Sequence, residues 1–257
     1  MATAAQLRAA AVPVRPRLLS YTGRWGRARR WLPADARLVV DVGSAFGYGT
    51  AALMAGSPER RVIGVERDPT HLAEAARRFP WVKVVEGDAA ELPFRDGSVD
   101  AVALLDVLEH VADPDAVLAE VHRVLQPGGV VVISVPHRGL LTAADSTNLY
   151  PALRRRFPSW PPMEPADACE GGRHRHYAVE ELYAALEPRF EVDRVARSGT
   201  GIAELVHLVL LVLFKGVLRH PGIYRALLPL HLLTYLVDDL VRIGRGSYHL
   251  TVRAVAR

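Results

Sequence analysis

Between residues 38 and 136, short β-branched runs alternate with helical ones, and this alternation restricts the fold more than any other feature of the chain. The runs LVVDV, RVIGVE, VKVVEG, VDAVALL and VVVISVP are short, continuous and valine-rich, as strands buried on both faces must be. Between them, TAALMA, PTHLAEAARRF and PDAVLAEVHRVL repeat their apolar residues at helical spacing. Pro69 and Pro114 each follow an aspartate, as at a helix first turn, and PGG after VHRVLQ stops the last helix. The pattern predicts an open, mostly parallel α/β sheet, with right-handed crossovers placing helices on both faces. Such sheets bind ligands in the crevice outside the strand carboxyl ends, so the residues there are the candidates for function.

The first strand runs into DVGSAFGYGT, Asp41 to Thr50. Its glycines, Gly43, Gly47 and Gly49, spell G-x-x-x-G-x-G, whereas a dinucleotide loop wants G-x-G-x-x-G and here has Ala45 in place of a close glycine. A pyrophosphate is poorly served, but the loop and helix amides can receive a smaller anion, such as the carboxylate of an amino-acid portion of a cofactor. Glu66 ends the second strand, about twenty residues on, where a carboxylate can accept both hydroxyls of a ribose. Asp88, in VVEGDAAELPF, ends the third strand with acceptor oxygens suited to an exocyclic adenine amine. The fourth strand runs into LLDVLEHV, which brings Asp106 and His110 over the same crevice. Each acid alone reads as a helix cap; capping does not account for acids at successive strand ends.

The segments DVGSAFGYGT, VIGVERD, VEGDAAELPF, SVDAVALLDVLEHV and LQPGGVVVISVP, in this order, resemble the motifs of class I S-adenosylmethionine-dependent methyltransferases. The likeness covers roughly residues 38 to 137 and is greatest to the small-molecule branch, which includes quinone-biosynthesis and natural-product enzymes. It implies a Rossmann-like, seven-stranded, mostly parallel sheet with an antiparallel last strand. It also implies S-adenosyl-L-methionine as cofactor and methyl transfer to a small, hydrophobic acceptor: a natural product, a quinone or a lipid-like molecule. Carried over by motif, Asp41, Gly43, Ser44 and Gly47 line the methionyl part, Glu66 the ribose, Asp88 and Ala89 the adenine, and Asp106 the sulfonium side, with Arg67 also at the cofactor. Ala45, with bulky Phe46 beside it, departs from the family's glycine and puts the shape of the loop in question. A sulfonium is already activated, so the protein has mainly to align a nucleophile and exclude water. A base is required only where the nucleophile must lose a proton. His137, directly after the fifth strand in SVPHRG, is the first candidate, with holding the following loop as its alternative role; His174 and His176 in GGRHRHY are the second.

Residues 137–176 are long, irregular and rich in Pro, Arg and aromatics, the character of a functional cover. Asn148, Tyr150, Arg154 and Trp160 are its candidate substrate contacts. Cys169 with His174 and His176 reads C-x-x-x-x-H-x-H, but no paired ligands stand at zinc spacing on a second element, so no metal is expected. RFEVDRVAR and SYHLTVRAVA alternate as a closing strand pair, and residues 201–246 between them form a hydrophobic insertion of two helices broken at His220 and Pro221. Its first helix, Ile202 to Leu218, is apolar nearly all round yet carries Glu204, His207 and Lys215 and is too short to span a bilayer. Three roles are open to it: cover for the site, homodimer interface, or a hairpin lying in a membrane interface, the last favoured by nearby arginines.

Residues 1–37 form a basic extension with Arg8, Arg15, Arg17, Arg24, Arg27, Arg29 and Arg30, and RWGRARRWL reads as a helix packing its tryptophans on the domain edge. The net charge is +4, with Lys83 and Lys215 the only lysines; no nucleic-acid motif accompanies that charge, and no DNA partner is expected. The lone Cys169 excludes an internal disulfide, and MATAAQLRAAAVPV lacks a signal-peptide core. The expectation is a cytoplasmic protein, with contact to the inner face of the membrane if the insertion docks there. The alternative to an active enzyme is a catalytically inactive methyltransferase-like module that recruits a partner or a membrane through its insertion. A nicotinamide oxidoreductase is a more distant alternative, and RNA methylation is disfavoured by the apolar insertion.

Overall fold

The computed structural model describes residues 23–55, 57–162, 174–241 and 243–257; Arg8, Arg15, Arg17 and Cys169 lie outside them. In chain order the elements are α1 (Gly23–Trp31), β1 (Leu38–Val42), α2 (Tyr48–Met54), β2 (Arg61–Glu66), α3 (Pro69–Arg78), β3 (Lys83–Glu86), β4 (Val99–Leu105), α4 (Pro114–Val124) and β5 (Leu125–Pro136). There follow α5 (Ser146–Arg156), α6 (Val179–Leu186), β6 (Phe190–Ser198), α7 (Ile202–Leu210), α8 (Pro221–Asp238) and β7 (His249–Ala256). The sheet order is β3-β2-β1-β4-β5-β7-β6, with β7 antiparallel to both neighbours. That is the seven-stranded, six-parallel arrangement the resemblance implies, and its strand order reverses between β1 and β4, where a crevice must open. β5 begins at Leu125, earlier than VVVISVP predicts, because Leu125 pairs with Val99 across a register shift.

Strand alternation divides the core in two. Val40, Val42, Val102, Leu104, Val131 and Ile133 face one side, where Leu118 and Val121 of α4 and Leu182 and Leu186 of α6 cover them. Val39, Ala101, Ala103, Val130 and Val132 face the other, under Ala28 of α1 with Trp25 and Trp31 packed alongside. Each fully buried Val or Leu contributes about 1.5–3 kcal/mol relative to exposure, so α1 is a covered part of the fold. Its Arg27 is buried and donates to Thr251 Oγ1 at 2.8 Å, 224 residues away. Both aspartate–proline starts are N-caps: Asp68 accepts from Thr70 N at 2.7 Å, and Asp113 from Asp115 N at 3.0 Å and Ala116 N at 3.1 Å, each worth about 1 kcal/mol.

The insertion and the cover pack as one unit. Tyr150 of α5, Leu208 of α7 and Leu211 form a separate apolar cluster with Trp160 beside it. After Leu210 the helix widens into a π turn, Leu211–Val217, and Gly216 there meets the indole of Trp160 so closely that a Cβ would lie 2.7 Å from it. No helix among the described residues is long and apolar enough to cross a membrane.

Candidate active site

At the carboxyl ends of β1, β2, β3 and β4 lies a cavity of about 370 Å³, within the usual size of a small-molecule site. Gly43, Ala45, Glu66, Arg67, Asp88, Ala89, Asp106 and His110 contribute to its wall. Backbone geometry shapes the first turn. Gly43 has φ +70°, and a Cβ there would lie 2.5 Å from Val107 Cγ2, so only glycine fits. Ala45 also has a positive φ, +42°, and its N–H donates to Glu66 Oε2 at 2.8 Å. The other Glu66 oxygen accepts from Arg67 N and Asp68 N, each at 3.0 Å. Glu66 therefore fastens the loop of β1 to the end of β2, which holds its carboxylate at the cavity wall. Phe46 packs edge-on against His71, ring centroids 4.5 Å apart.

Six of the nine residues expected at the cofactor, Gly43, Glu66, Arg67, Asp88, Ala89 and Asp106, line this cavity. The other three stand behind it. Asp41 is buried and accepts from Thr50 Oγ1 at 2.7 Å; burial, opposed by that hydrogen bond and reinforced by Glu66, pushes its carboxyl up to about 7. Ser44 is buried where Gly64 leaves room for it, a Cβ on Gly64 falling 2.7 Å from Ser44 Oγ. Gly47 is the N-cap of α2, with φ +79°. Asp88 also accepts from Ala90 N at 2.7 Å, which closes its own turn.

Asp106 carries the strain of the site. It has φ +57°, a conformation that costs a non-glycine residue about 1–2 kcal/mol. Its Oδ2 forms an ion pair with Arg24 of α1, and its Oδ1 is buried without a hydrogen-bond partner among the described residues. The Arg24 guanidinium lies over the rings of Trp25 and Tyr235, 5.2 and 5.1 Å from their centroids. The basic extension thus reaches the site itself.

The histidines separate into two groups. His137 is buried and its Nδ1 lies 2.8 Å from Ser247 O, a contact that holds the following loop; none of His137, His174 and His176 lines the cavity. His174 and His176 converge on Asp145, their nitrogens 2.6 and 3.2 Å from its Oδ2. Asp145 is the N-cap of α5: its Oδ1 accepts from Thr147 N at 2.8 Å, which leaves Oδ2 for the rings. Burial raises the Asp145 carboxyl, but the hydrogen bond from His174 and the charges of both rings outweigh it and hold the group below its ordinary value. Asn148 clamps His174 from both sides, donating to its O at 2.7 Å and accepting from its N at 2.9 Å. His110 lies against His174, ring centroids 4.8 Å apart; burial first, then His174, pushes it down to about 4. Beside it Glu109 is 1% exposed, and burial, then Asp106, holds its carboxyl well above the usual range.

Three of the expected substrate contacts, Tyr150, Arg154 and Trp160, make contacts within the fold. The Tyr150 hydroxyl is buried and donates to Pro161 O at 3.1 Å, and Arg154 Nε donates to Trp160 O at 2.8 Å. Trp160 stacks between Phe157 and Tyr150, centroids 5.0 and 5.7 Å away. An aromatic-rich segment buries its rings against the insertion before it can offer them to a ligand. Asp145, Glu109 and Arg24 were not expected at the site. The motif D-S-T before a helical run marks Asp145 as a cap, and nothing local marks it as a histidine partner.

The orphaned Asp106 oxygen, the glycine-only turn and the carboxylates at the ends of β2 and β3 fit a cationic ligand with a ribose and an adenine. Residues 40–133 match the family described as a methyltransferase domain. A probable S-adenosylmethionine-dependent methyltransferase of Mycolicibacterium smegmatis is 39% identical over 168 residues, 65% of this chain and 62% of that protein. The chain thus carries a methyltransferase domain and is similar to S-adenosylmethionine-dependent methyltransferases. A demethylmenaquinone methyltransferase of Streptomyces avermitilis is 35% identical over 98 residues, 38% of this chain and 42% of that protein. The chain thus spans less than two thirds of the length of these curated relatives. The crystal structure of a possible histamine N-methyltransferase from Thermotoga maritima shares the fold, with a TM-score of 0.54 at 19% identity over 98% of this chain and 94% of that one. These relatives imply S-adenosylmethionine as the cofactor.

Proposed function

We propose that the protein transfers a methyl group from S-adenosylmethionine to a small hydrophobic acceptor, of quinone, natural-product or lipid-like character. The observation that carries this reading is the cavity at the β1–β4 switch point, with Gly43, Glu66, Asp88 and Asp106 together on its wall. Glu66 and Asp88 hold the nucleoside through its ribose and adenine, and the Gly43 turn lets backbone approach the methionyl part. Asp106 stands at the sulfonium side. When bound, the cofactor supplies an electrophilic methyl group. The protein's own contribution is alignment and exclusion of water: α1 reaches the site through Arg24 on Asp106, and Asp145, the cap of α5, stands behind it with His174 and His176. His176, which stands behind the cavity wall with its Nε2 3.2 Å from Asp145 Oδ2, would take up the proton of an acceptor that must lose one, and Asp145 would stabilise the charged ring. A quinone-class acceptor is supported by the name of the Streptomyces relative and by the apolar insertion beside the site.

The insertion supports a second element of this reading. Ile202, Leu205, Val209, Leu213 and Val217 leave one stripe of the first helix exposed, and Leu230, Leu233 and Val237 a stripe of the second, with exposed Arg219 and Arg245 at their ends. Such a surface suits the interface of an anionic membrane, from which a lipid-like acceptor would be drawn. Calorimetry with S-adenosylhomocysteine tests the enzyme reading: micromolar binding is expected, and its absence, or undiminished binding in Glu66→Ala/Asp88→Ala, refutes it. Binding without turnover of any quinone, phenol or lipid acceptor instead favours the inactive module.

A further inference from the structure

Among the described residues Glu109 has both side-chain oxygens buried and unpartnered, and it is 1% exposed. In that position the group is held as the neutral acid, and it ionises only where a counter-charge meets it. The cation nearby, Arg24, is spent on Asp106. What Glu109 faces is imidazole: His174 Nε2 lies 3.8 Å from its Oε1, beyond hydrogen-bond reach. One donor atom each from Glu109, His110 and His174 fall within 4.8 Å of one another. Donors about 2.1 Å from a shared ion stand roughly 3–3.5 Å apart, so the three need only a small side-chain shift to meet on one.

We propose that Glu109, His110 and His174 bind a divalent transition-metal ion, of the zinc, iron(II) or manganese(II) class, just behind the cavity wall, which His110 lines. Two imidazoles and one carboxylate are the donor set such ions prefer over magnesium or calcium. Asp145 completes the arrangement from behind. Its Oδ2 lies 2.6 Å from His174 Nδ1, which turns Nε2 toward Glu109, the carboxylate–histidine pairing that orients metal-bound imidazoles. Asn148 fixes the His174 backbone on both sides. His110 lies on the wall of the same cavity as Asp106, so the remaining coordination positions of the ion look toward the acceptor side. There the ion would hold an oxygen of the acceptor, a hydroxyl or a quinone carbonyl, and polarise it. The site itself stands on geometry; its role toward the acceptor rests on the methyl-transfer reading.

Chelator-stripped full-length protein, titrated with Co²⁺ and with Zn²⁺ without cofactor, tests the site. One equivalent is expected to bind, with a visible d–d band for Co²⁺ and a rise in melting temperature that chelator reverses. Glu109→Gln and His174→Ala should each weaken binding at least about 100-fold, and Asp145→Asn about 10–100-fold, while S-adenosylhomocysteine affinity shows that the variants are folded. Should they fail to fold, Mn²⁺ on the wild type decides: it should broaden the ring protons of His110 and His174 and spare His122, which packs at Phe190 and Arg257. No stoichiometric ion, unchanged affinity in a folded Glu109→Gln, or uniform broadening overturns the proposal. Because S-adenosylhomocysteine binding is read separately, loss of the metal and loss of the cofactor remain distinguishable.

Discussion

The loop after β1 allows a test in which the same two residue types are exchanged in opposite directions. Ala45 has φ +42°, where a side chain costs about 1–2 kcal/mol. Ala45→Gly removes that cost and adds about 0.5–1 kcal/mol of chain entropy to the unfolded state. The net gain is about 0.5–1 kcal/mol, or a rise in melting temperature of roughly 1–4 °C for a chain of this size. The hydrogen bond from Ala45 N to Glu66 is made by backbone and survives. Only one methyl group leaves the cavity wall, so affinity for S-adenosylhomocysteine should change less than about fivefold. Gly43→Ala has the opposite effect. It places a Cβ at φ +70° and 2.5 Å from Val107 Cγ2, at a cost of at least about 2 kcal/mol, with loss of binding as Val107 is pushed into the cavity. Thermal melts without cofactor and calorimetry with it read both variants. A lower melting temperature for Ala45→Gly, or a neutral Gly43→Ala, refutes the account of this loop.

Three further outcomes follow from the geometry. The folded state raises the Asp41 carboxyl to about 7, so its stabilising contribution is full below the unfolded value near 4 and is lost as pH rises through 7; Asp41→Asn should gain stability over wild type between pH 5 and pH 8 in urea melts, and a pH-independent difference contradicts it. Trp160→Ala should cost about 2–3 kcal/mol by emptying the seat on Gly216, yet leave S-adenosylhomocysteine affinity intact, since Trp160 packs on α5 and the π turn; a large loss of affinity in calorimetry would return it to the substrate site. The wild type should float with anionic phospholipid vesicles, and Leu213→Glu/Leu233→Glu, at exposed positions, should not; a wild type that stays unbound, or dimerises through these residues in sedimentation, refutes membrane docking.

What the sequence by itself determined is whatever rests on neighbours along the chain. Continuous valine runs specify buried parallel strands, Asp68–Pro69 and Asp113–Pro114 specify helix starts, and the order of the strand-end acids places Glu66, Asp88 and Asp106 on one crevice, because in a parallel sheet every strand ends on the same side. Tertiary structure decided what depends on the path of the returning chain. His137, adjacent to the crevice in sequence, turns onto Ser247, while His174 arrives from the far end of the cover to meet Glu109 and Asp145. Tyr150 and Trp160 look available in sequence and are consumed by the insertion's apolar face. Local periodicity and capping report short-range free energy, whereas which buried charge meets which imidazole is decided by packing between elements that share no sequence signal.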